Sequence, residues 1–416
     1  LQRQGMGMMG MKRLHLASDR KATGLWASLI FLVSLNLRPS IAAVGPVIER
    51  IGSDLGWAGG LQGLLAAVPL VAVAAGSPLV PSLTSRIGVD CTILLALIAI
   101  ALGDVIRSFT GGVGIWVGTV VFASAIAVGN VLVPVIAKRD YADHVATATG
   151  IYSACITCGS AAAGLTASAM AQAWGGWRYA LAFWAVPPLI VAVLWTARIV
   201  HSWRDTAFDA CNALRQMPMT ASDGSGCSMP ALLHRPMTWW VTLFMGTQSS
   251  AFYTMSNWMP SVSEHAGFGA TAAGVHLFVF QFTGIFSGLL IPRLMRIHGS
   301  QICAPGVRAF HCVVAALGML ASPAVMPLWA FIGGIGQGAS LVVALALIAM
   351  RGRTAAETVR LSGFAQSIGY LIASLGPLLF GALYQLTGAY VVSITVMTAI
   401  AVVQCVVAVL AGHDNA

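Results

Sequence analysis

A single arginine lies in the middle of a long apolar stretch near the start of the chain. The stretch reads SLNLRPSIAAVGPVIERI, residues 34–51, and Pro39 follows Arg38 directly. An arginine at the centre of a membrane helix costs roughly 2.5–3.5 kcal/mol on insertion scales, so such residues usually mark a binding site or an ion pathway. We therefore predict that Arg38 contacts a substrate or an anion.

Two structural roles for Arg38 remain open from the sequence. The side chain could pair with Asp104 or Glu49, or it could bind carbonyl groups left free by Pro39. Both acids lie near the predicted outer ends of their helices, and Arg107 follows Asp104 at the i+3 position, where it is a local partner.

Neutral hydrogen-bonding side chains occupy other apolar stretches at helical spacing. A polar stripe on an apolar helix is typical of a cavity lining, and hydrogen bonding between helices is the structural alternative. One cation among neutral groups, with no central carboxylate, favours a small anionic or strongly polar substrate over a cationic one. The predicted substrate-binding residues are Arg38, Asn130, Tyr152, Gln248, Tyr253, Asn257, Gln281, Gln337, Gln366 and Tyr370.

A coupling proton has few carriers in this sequence. Glu49, Asp104 and His276 are the candidate proton carriers, with the substrate itself as a further alternative. A lone histidine is more often a packed residue than a carrier, so the coupling ion stays open.

The composition excludes a soluble globular class. Of 416 residues, 58% are hydrophobic and 8% are charged, against about 25% charged in a typical soluble protein. Apolar runs of roughly 20 residues, enough to cross a bilayer, recur along the chain. We predict an all-α polytopic membrane protein with twelve spans at residues 25–50, 58–82, 89–109, 112–137, 145–171, 176–199, 236–262, 271–296, 305–322, 325–350, 357–384 and 389–411.

The positive charges follow the loops and set the orientation. The net charge is +9, and most basic residues fall in alternate short loops and in the N-terminal tail. Because such loops stay on the cytoplasmic side, both termini are predicted to be cytoplasmic. Arg50, Arg107 and Arg178 are predicted outside. This distribution accounts for the charge without a nucleic-acid partner.

A polar segment divides the spans into two sets of six. The predicted parts are a cytoplasmic tail (1–24), a six-helix bundle (25–199), a cytoplasmic linker (200–235), a second bundle (236–411) and a tail (412–416). Internal repeats support the division, since Arg139 matches Arg351 and Gly150 matches Gly363 at spacings of 212 and 213. Such repeats place Arg38 opposite Gln248.

No motif for covalent chemistry stands out. GxSxG, HExxH and phosphate-binding loop patterns are missing, which predicts a protein that is not an enzyme and that uses a gradient rather than ATP. Cys155 and Cys158 have redox spacing, but they lie on an apolar helix and are interpreted as packing residues. We predict no disulfide, no metal and no cofactor.

Several segments together resemble one known family. LNLRPSIAAVGPVIERI, GNVLVPVIAKRDY (129–141), ATGIYS (148–153), NWMPS and LSGFAQSIGYLIASLGPLLFG (361–381) are similar to the CynX/NimT group of the major facilitator superfamily, the cyanate and 2-nitroimidazole transporters. The similarity runs from about residue 25 to 411.

The resemblance implies two pseudo-symmetric six-helix bundles around a central site that opens alternately to each side. It implies a monomer in the bacterial inner membrane that moves a small molecule. By analogy with the superfamily, helices 1, 4, 7 and 10 line the cavity, which agrees with Arg38, Asn130, Gln248, Tyr253 and Gln337.

The loop after helix 2 departs from the superfamily signature G-x-x-x-D-R-x-G-R-R/K. LTSRIGVD keeps Arg86 and Gly88, but Ser85 stands at the acidic position and Val89–Asp90 at the basic pair. Predicted gating residues are Arg86, Gly88, Arg139 and Arg351.

The hypothesis from the sequence is a secondary transporter that moves a cyanate-like or nitroimidazole-like solute, with the lipid bilayer and protons as further partners. The alternatives are multidrug-type efflux of neutral compounds, with Arg38 structural, and a membrane-embedded enzyme or sensor.

Overall fold

The computed structural model describes residues 26–141, 145–206, 232–298, 303–351 and 355–412. Within these ranges the regular structure is helical and no strand occurs.

Several predicted parts lie beyond the described residues. They are the N-terminal tail, most of the linker and nearly all of the C-terminal tail.

Twelve helical segments follow one another along the described chain. They are α1 Trp26–Leu55, α2 Gly59–Ile87, α3 Val89–Phe109, α4 Gly111–Asp140, α5 Val145–Ala173, α6 177–206, α7 Pro236–His265, α8 Ala270–His298, α9 Cys303–Ala321, α10 Met326–Arg351, α11 Ala355–Thr387 and α12 Tyr390–Gly412.

Three of these segments are interrupted by short irregular turns. A 3₁₀ turn at Ser77–Leu79 interrupts α2, and another at Phe183–Ala185 interrupts α6. The break in α1 is longer and covers residues 36–38, after which the chain resumes as Pro39–Ala42, a 3₁₀ turn at Gly45–Val47 and Ile48–Leu55.

Ten of the described segments are long and apolar enough to cross a membrane. The other two are α7 and α9, and α7 carries Gln248, Tyr253 and Asn257 of the predicted binding residues. Residues from 238 to 263 of α7 are mostly buried, so its polar side chains face protein rather than lipid. Twelve helices in this arrangement confirm the predicted fold class.

Two helices extend beyond their predicted ends. α6 continues to Thr206, past the predicted end at residue 199, and α1 continues to Leu55, past residue 50. The apolar run marks only the part of a helix inside the hydrocarbon, whereas the hydrogen-bonded turns extend into the polar layer.

Glycines allow the helices to approach closely. A Cβ on Gly103 of α3 would lie 2.7 Å from the Gly118 carbonyl oxygen of α4. A Cβ on Gly338 of α10 would collide with the Gly284 backbone of α8. Small residues permit such close packing. In a bilayer this packing matters because the hydrophobic effect does not drive helices together in lipid.

The two predicted halves share a central core. One of the two largest groups of buried apolar residues combines residues of α1 to α6 with Tyr253 of α7 and with Tyr370 and Ala373 of α11. This core therefore surrounds the point at which α1 is broken.

The predicted repeat partners Gly150 and Gly363 lie in similar surroundings. At each of them an added Cβ would meet no atom within 4 Å.

Candidate functional site

The break in α1 places Arg38 in non-helical backbone. Arg38 has φ −125° and ψ −24°, and Pro39 begins the next helical turn. Proline has no N–H, so the carbonyl of Leu35 loses its helical partner. This carbonyl packs against Gly159 of α5, where any Cβ would collide with it.

Two local hydrogen bonds help to end the first part of α1. The Ser34 hydroxyl donates to the Ile30 carbonyl at 2.8 Å, and the Asn36 amide donates to the Leu32 carbonyl at 2.7 Å. Both are side-chain bonds to backbone within one turn, which compete with regular helix.

Aromatic rings of the second half surround the guanidinium of Arg38. Its Cζ lies 5.4 Å from the centre of the Phe252 ring and 5.1 Å from that of Tyr253. Each such cation–π contact is worth about 0.5–2 kcal/mol. Tyr370 of α11 interacts with Arg38 and with Tyr253, and the two tyrosine ring centres are 6.3 Å apart.

Arg38 has no carboxylate in an ion pair among the residues that the structure describes. Its Nε is enclosed and lacks a hydrogen-bond partner, although the residue as a whole is only half-buried. The rings cover the cation, and the Nε–H donor in the guanidinium plane has no partner among the described residues. The site can therefore accept an anionic or strongly polarised group.

Both acids considered as partners of Arg38 are engaged elsewhere. Asp104 contacts Arg107 and Ser40, with Oδ1 2.8 Å from Arg107 Nη2. Glu49 accepts a hydrogen bond of 2.6 Å from the Tyr390 hydroxyl of α12.

Gln248 and Gln337 bind each other inside the second half. The Gln337 amide donates to the Gln248 carbonyl at 2.6 Å, and the Gln248 amide donates to Ser249 Oγ at 2.7 Å. Both glutamines are buried. They correspond to the hydrogen bonding between helices that the sequence left open as an alternative.

Asn257 and Gln281 lie where the halves meet. Asn257 donates to the Tyr253 carbonyl at 2.8 Å, and Gly45 of α1 packs against the Asn257 backbone. Gln281 of α8 reaches the Ser160 carbonyl of α5 at 3.5 Å. Each keeps a buried amide oxygen with no hydrogen bond among the described residues.

Three predicted binding residues are half-buried. Tyr152 packs against the core that contains Tyr253 and Tyr370. Gln366 lies one turn before Tyr370 on α11 and donates to Ser362 Oγ at 3.0 Å. Asn130 is half-buried on α4.

His276 is a buried residue with local contacts. Its Nδ1 lies 3.1 Å from Ser263 Oγ of α7. The Phe268 ring packs edge-on against it, with ring centres 4.8 Å apart. Of the three candidate proton carriers, Glu49 alone is less than fully buried.

The halves contact each other at the end where α1 joins α2 and α11 joins α12, which we call the outer end after the orientation predicted from the basic loops. A Cβ on Gly63 of α2 would lie 2.7 Å from the Pro377 carbonyl of α11. The Gly60 N–H donates to Gln385 Oε1 at 2.8 Å. The first of these contacts joins the backbones of α2 and α11, and the second runs through the Gln385 side chain.

A charge network occupies the opposite end of the first half. Arg139 contacts Asp90 at 2.9 Å and Asp140 at 2.7 Å, and Arg198 of α6 contacts Asp140 at 2.6 Å. Burial lowers the pKa of Arg139, but hydrogen bonds to the Asp90 and Asp140 carboxylates outweigh that and raise it. Asp90, which replaces a basic residue of the loop signature, thus joins α3 to α4.

The other predicted gating residues are placed differently. Arg86 is exposed, and Gly88 links α2 to α3 with a φ of 81° that favours glycine. Arg351 donates to the Ala411 carbonyl near the end of α12 at 3.2 Å.

The sequence did not reveal the contact of Phe252 with Arg38 or the burial of Arg107. Phe252 faces Arg38, and only its position beside Tyr253 signals this. Arg107, predicted on the outer side of the membrane, is 1% exposed, because its guanidinium pairs with Asp104 and packs on Phe122.

No cluster of metal-binding side chains occurs in the described part of the chain. Cys155 and Cys158 are free thiols, half-buried and exposed respectively.

Comparisons with known proteins agree with this architecture. Residues 29–330 match the Major Facilitator Superfamily. The chain is 32% identical to the uncharacterized transporter YycB of Bacillus subtilis (strain 168), covering 95% of this chain and 96% of the relative. It is 31% identical to a 2-nitroimidazole transporter of Escherichia coli (strain K12), covering 93% and 95%.

A more distant relative and a solved structure also resemble this chain. The cyanate transport protein CynX of Escherichia coli (strain K12) is 23% identical, covering 87% of this chain and 90% of the relative. The crystal structure of a D-xylose-proton symporter superposes with a TM-score of 0.72 at 12% identity, covering 91% of this chain and 95% of that one. At that identity the likeness shows the fold.

Proposed function

Because the chain belongs to the major facilitator superfamily, in the group that includes the 2-nitroimidazole and cyanate transporters, we propose that it moves a small solute whose anionic or polarised oxygens bind Arg38. It is a secondary transporter of small solutes. The proposal concerns the chemical class of the solute and the residue that recognises it.

The aromatic enclosure of Arg38 carries this proposal. Phe252 and Tyr253 cover the cation, so the donors that remain lie in the guanidinium plane. A carboxylate or nitro group can accept two parallel hydrogen bonds from that edge. A carboxylate would also supply the negative charge that no described residue brings to Arg38, and a nitro group would present partial negative charge on its oxygens.

The names of the relatives fit this class of solute. A nitro group carries two oxygens with partial negative charge on a flat ring, and cyanate is a small anion. A flat ring attached to the polarised group would also pack against the aromatic side chains near Arg38.

Movement of the two halves would expose this site to each side in turn. Arg38 belongs to the first half, whereas Phe252, Tyr253 and Tyr370 belong to the second. Separation of the halves at the outer end would break the backbone contacts of Gly63 with Pro377. We place the protein in the bacterial inner membrane with both termini cytoplasmic, as a monomer that binds its solute without covalent chemistry.

A panel of ligands tests the class of solute. The purified protein would be heated with 2-nitroimidazole, benzoate or cyanate, and with tetraethylammonium as a cationic control. A ligand that binds only the folded protein raises its melting temperature. The proposal expects stabilisation by at least one of the first three, and it is wrong if only the cation stabilises.

A further inference from the structure

We infer that Asp104 and Arg107 of α3 form a positioning pair for Arg38, which holds the chain just after the break in α1. The inference rests on the proposed role of Arg38 in solute binding. It assigns to the pair no contact with the solute.

The pair is an unusual feature of the first half. Asp104 and Arg107 are 0% and 1% exposed, and their charged atoms are 2.8 Å apart. Burying both charges costs free energy that their attraction often fails to return, so such a pair is weak evidence for stability alone. Its contacts with α1 indicate a more specific role.

Both members of the pair bind one residue of α1. Arg107 Nη1 donates to the Ser40 carbonyl at 2.6 Å, and the Ser40 hydroxyl donates to Asp104 Oδ2 at 2.8 Å. Ser40 is therefore held through its main chain and its side chain at once. Arg38 precedes it by two residues, at most about 7 Å along the chain.

The irregular backbone of α1 makes the Ser40 carbonyl available. In a regular helix this carbonyl would accept from Val44 N, but Val44 N donates to Ile41 at 3.3 Å instead. Arg107 supplies the donor that the helix does not. A buried carbonyl without a donor would cost free energy, so the pair compensates for the local irregularity.

The position of the pair itself is fixed by the packing of α3 on α4. The Arg107 guanidinium lies 4.6 Å from the Phe122 ring centre, and glycines at 103 and 118 bring the two backbones together. A rigid α3–α4 unit thus reaches across to α1. Displacement of Ser40 would move Arg38 relative to Phe252 and Tyr253.

Ser40→Ala tests the pair with little change in volume. Ser108→Ala is the matched control, because Ser108 is a buried serine of α3 whose hydroxyl donates to the Asp104 carbonyl within the same helix. In proteoliposomes with 2-nitroimidazole, we expect Ser40→Ala to raise KM about fivefold with a nearly unchanged maximal rate. Ser108→Ala should keep the wild-type KM, and Ser40→Thr should restore it.

A double-mutant cycle shows whether the effect passes through Arg38. If it does, Ser40→Ala should add nothing to the KM of Arg38→Lys. Independent, additive effects of the two substitutions would overturn the inference. If Arg38→Lys raises KM and Ser40→Ala does not, the positioning role is wrong and the proposed function stands. If neither substitution changes KM, the proposed function itself fails.

Hydrogen–deuterium exchange gives a readout that needs no solute. We expect Ser40→Ala to speed exchange of amides between residues 36 and 44, with no such change in Ser108→Ala. Equal exchange in the two variants would contradict the pair's hold on α1, whatever the transport assay shows.

Discussion

The guanidinium carbon of Arg38 lies 5.1 Å from the centre of the Tyr253 ring. Arg38 belongs to the first predicted half and Tyr253 to the second, so the cation is enclosed only where the halves meet. Movement that separates the halves at this point would uncover the charge. A bound anion could then compensate the charge in each state.

Replacing Arg38 by lysine should weaken solute binding although the charge remains. Lysine lacks the planar set of donors that meets two oxygens at once. Loss of a hydrogen bond to a charged group costs about 1.5–3 kcal/mol, so KM should rise roughly tenfold or more. Uptake of 2-nitroimidazole at several concentrations would measure this, and Arg178→Lys at the surface serves as the control. A wild-type KM would contradict the bidentate contact.

Phe252→Leu should weaken binding less than Arg38→Lys does. The substitution removes one aromatic face from the cation, and a cation–π contact is worth about 0.5–2 kcal/mol. KM should therefore rise a few-fold. Phe286→Leu is the matched control, since Phe286 is 58% exposed on α8. Equal KM values for the two variants would show that Phe252 does not support Arg38.

Gly63→Ala should open the outer end. The new Cβ would lie 2.7 Å from the Pro377 carbonyl oxygen and 3.0 Å from that of Leu378. Both are backbone atoms, so no side-chain rotation can relieve the clash. Spin labels at positions 53 and 386, in a cysteine-free background, would report the separation of α1 from α11. We expect longer distances in Gly63→Ala and no change in Gly112→Ala, where the added Cβ meets no atom within 4 Å. An unaltered distribution in Gly63→Ala would exclude a close contact of α2 and α11 at this glycine.

Arg198→Ala should lower the melting temperature more than Arg178→Ala. The Arg198 and Asp140 side chains are 11% and 12% exposed, whereas Arg178 and Asp54 are 38% and 49% exposed. Removing Arg198 leaves a largely buried carboxylate with fewer partners, whereas exposed pairs contribute about 0–1 kcal/mol. Thermal unfolding of the two purified variants provides the comparison. Equal losses would mean that the network around Asp90 and Asp140 adds no stability.

The fold followed from the sequence because helix length and lipid impose simple rules. Each span needs about 20 apolar residues, and the basic loops and the repeats then ordered the spans. Arg38 was identifiable because a charge within an apolar membrane helix costs free energy whichever neighbours the helix has. The sequence offered Asp104 as a possible partner of Arg38, but it also placed Arg107 three residues after Asp104. The structure shows that Asp104 pairs with Arg107.

Contacts between helices were harder to derive. Gln248 and Gln337 share the polar character of a cavity lining, but whether they face a cavity or each other depends on helix rotation, which one sequence does not define. Phe252 was overlooked because an aromatic residue in a membrane helix carries no polar signal. The burial of Arg107 was not foreseen because its position near the end of α3 does not show that Phe122 of α4 covers it.

Uptake of radiolabelled 2-nitroimidazole into proteoliposomes that contain Arg38→Gln tests whether the charge of Arg38 binds the solute. Glutamine keeps hydrogen-bond donors but removes the charge, so the comparison isolates the cation. We expect saturable uptake by the wild type and loss of that uptake in Arg38→Gln, with the variant still folded by circular dichroism. Uptake by folded Arg38→Gln at the wild-type rate and KM would contradict solute binding by Arg38 and would make Arg38 a structural residue.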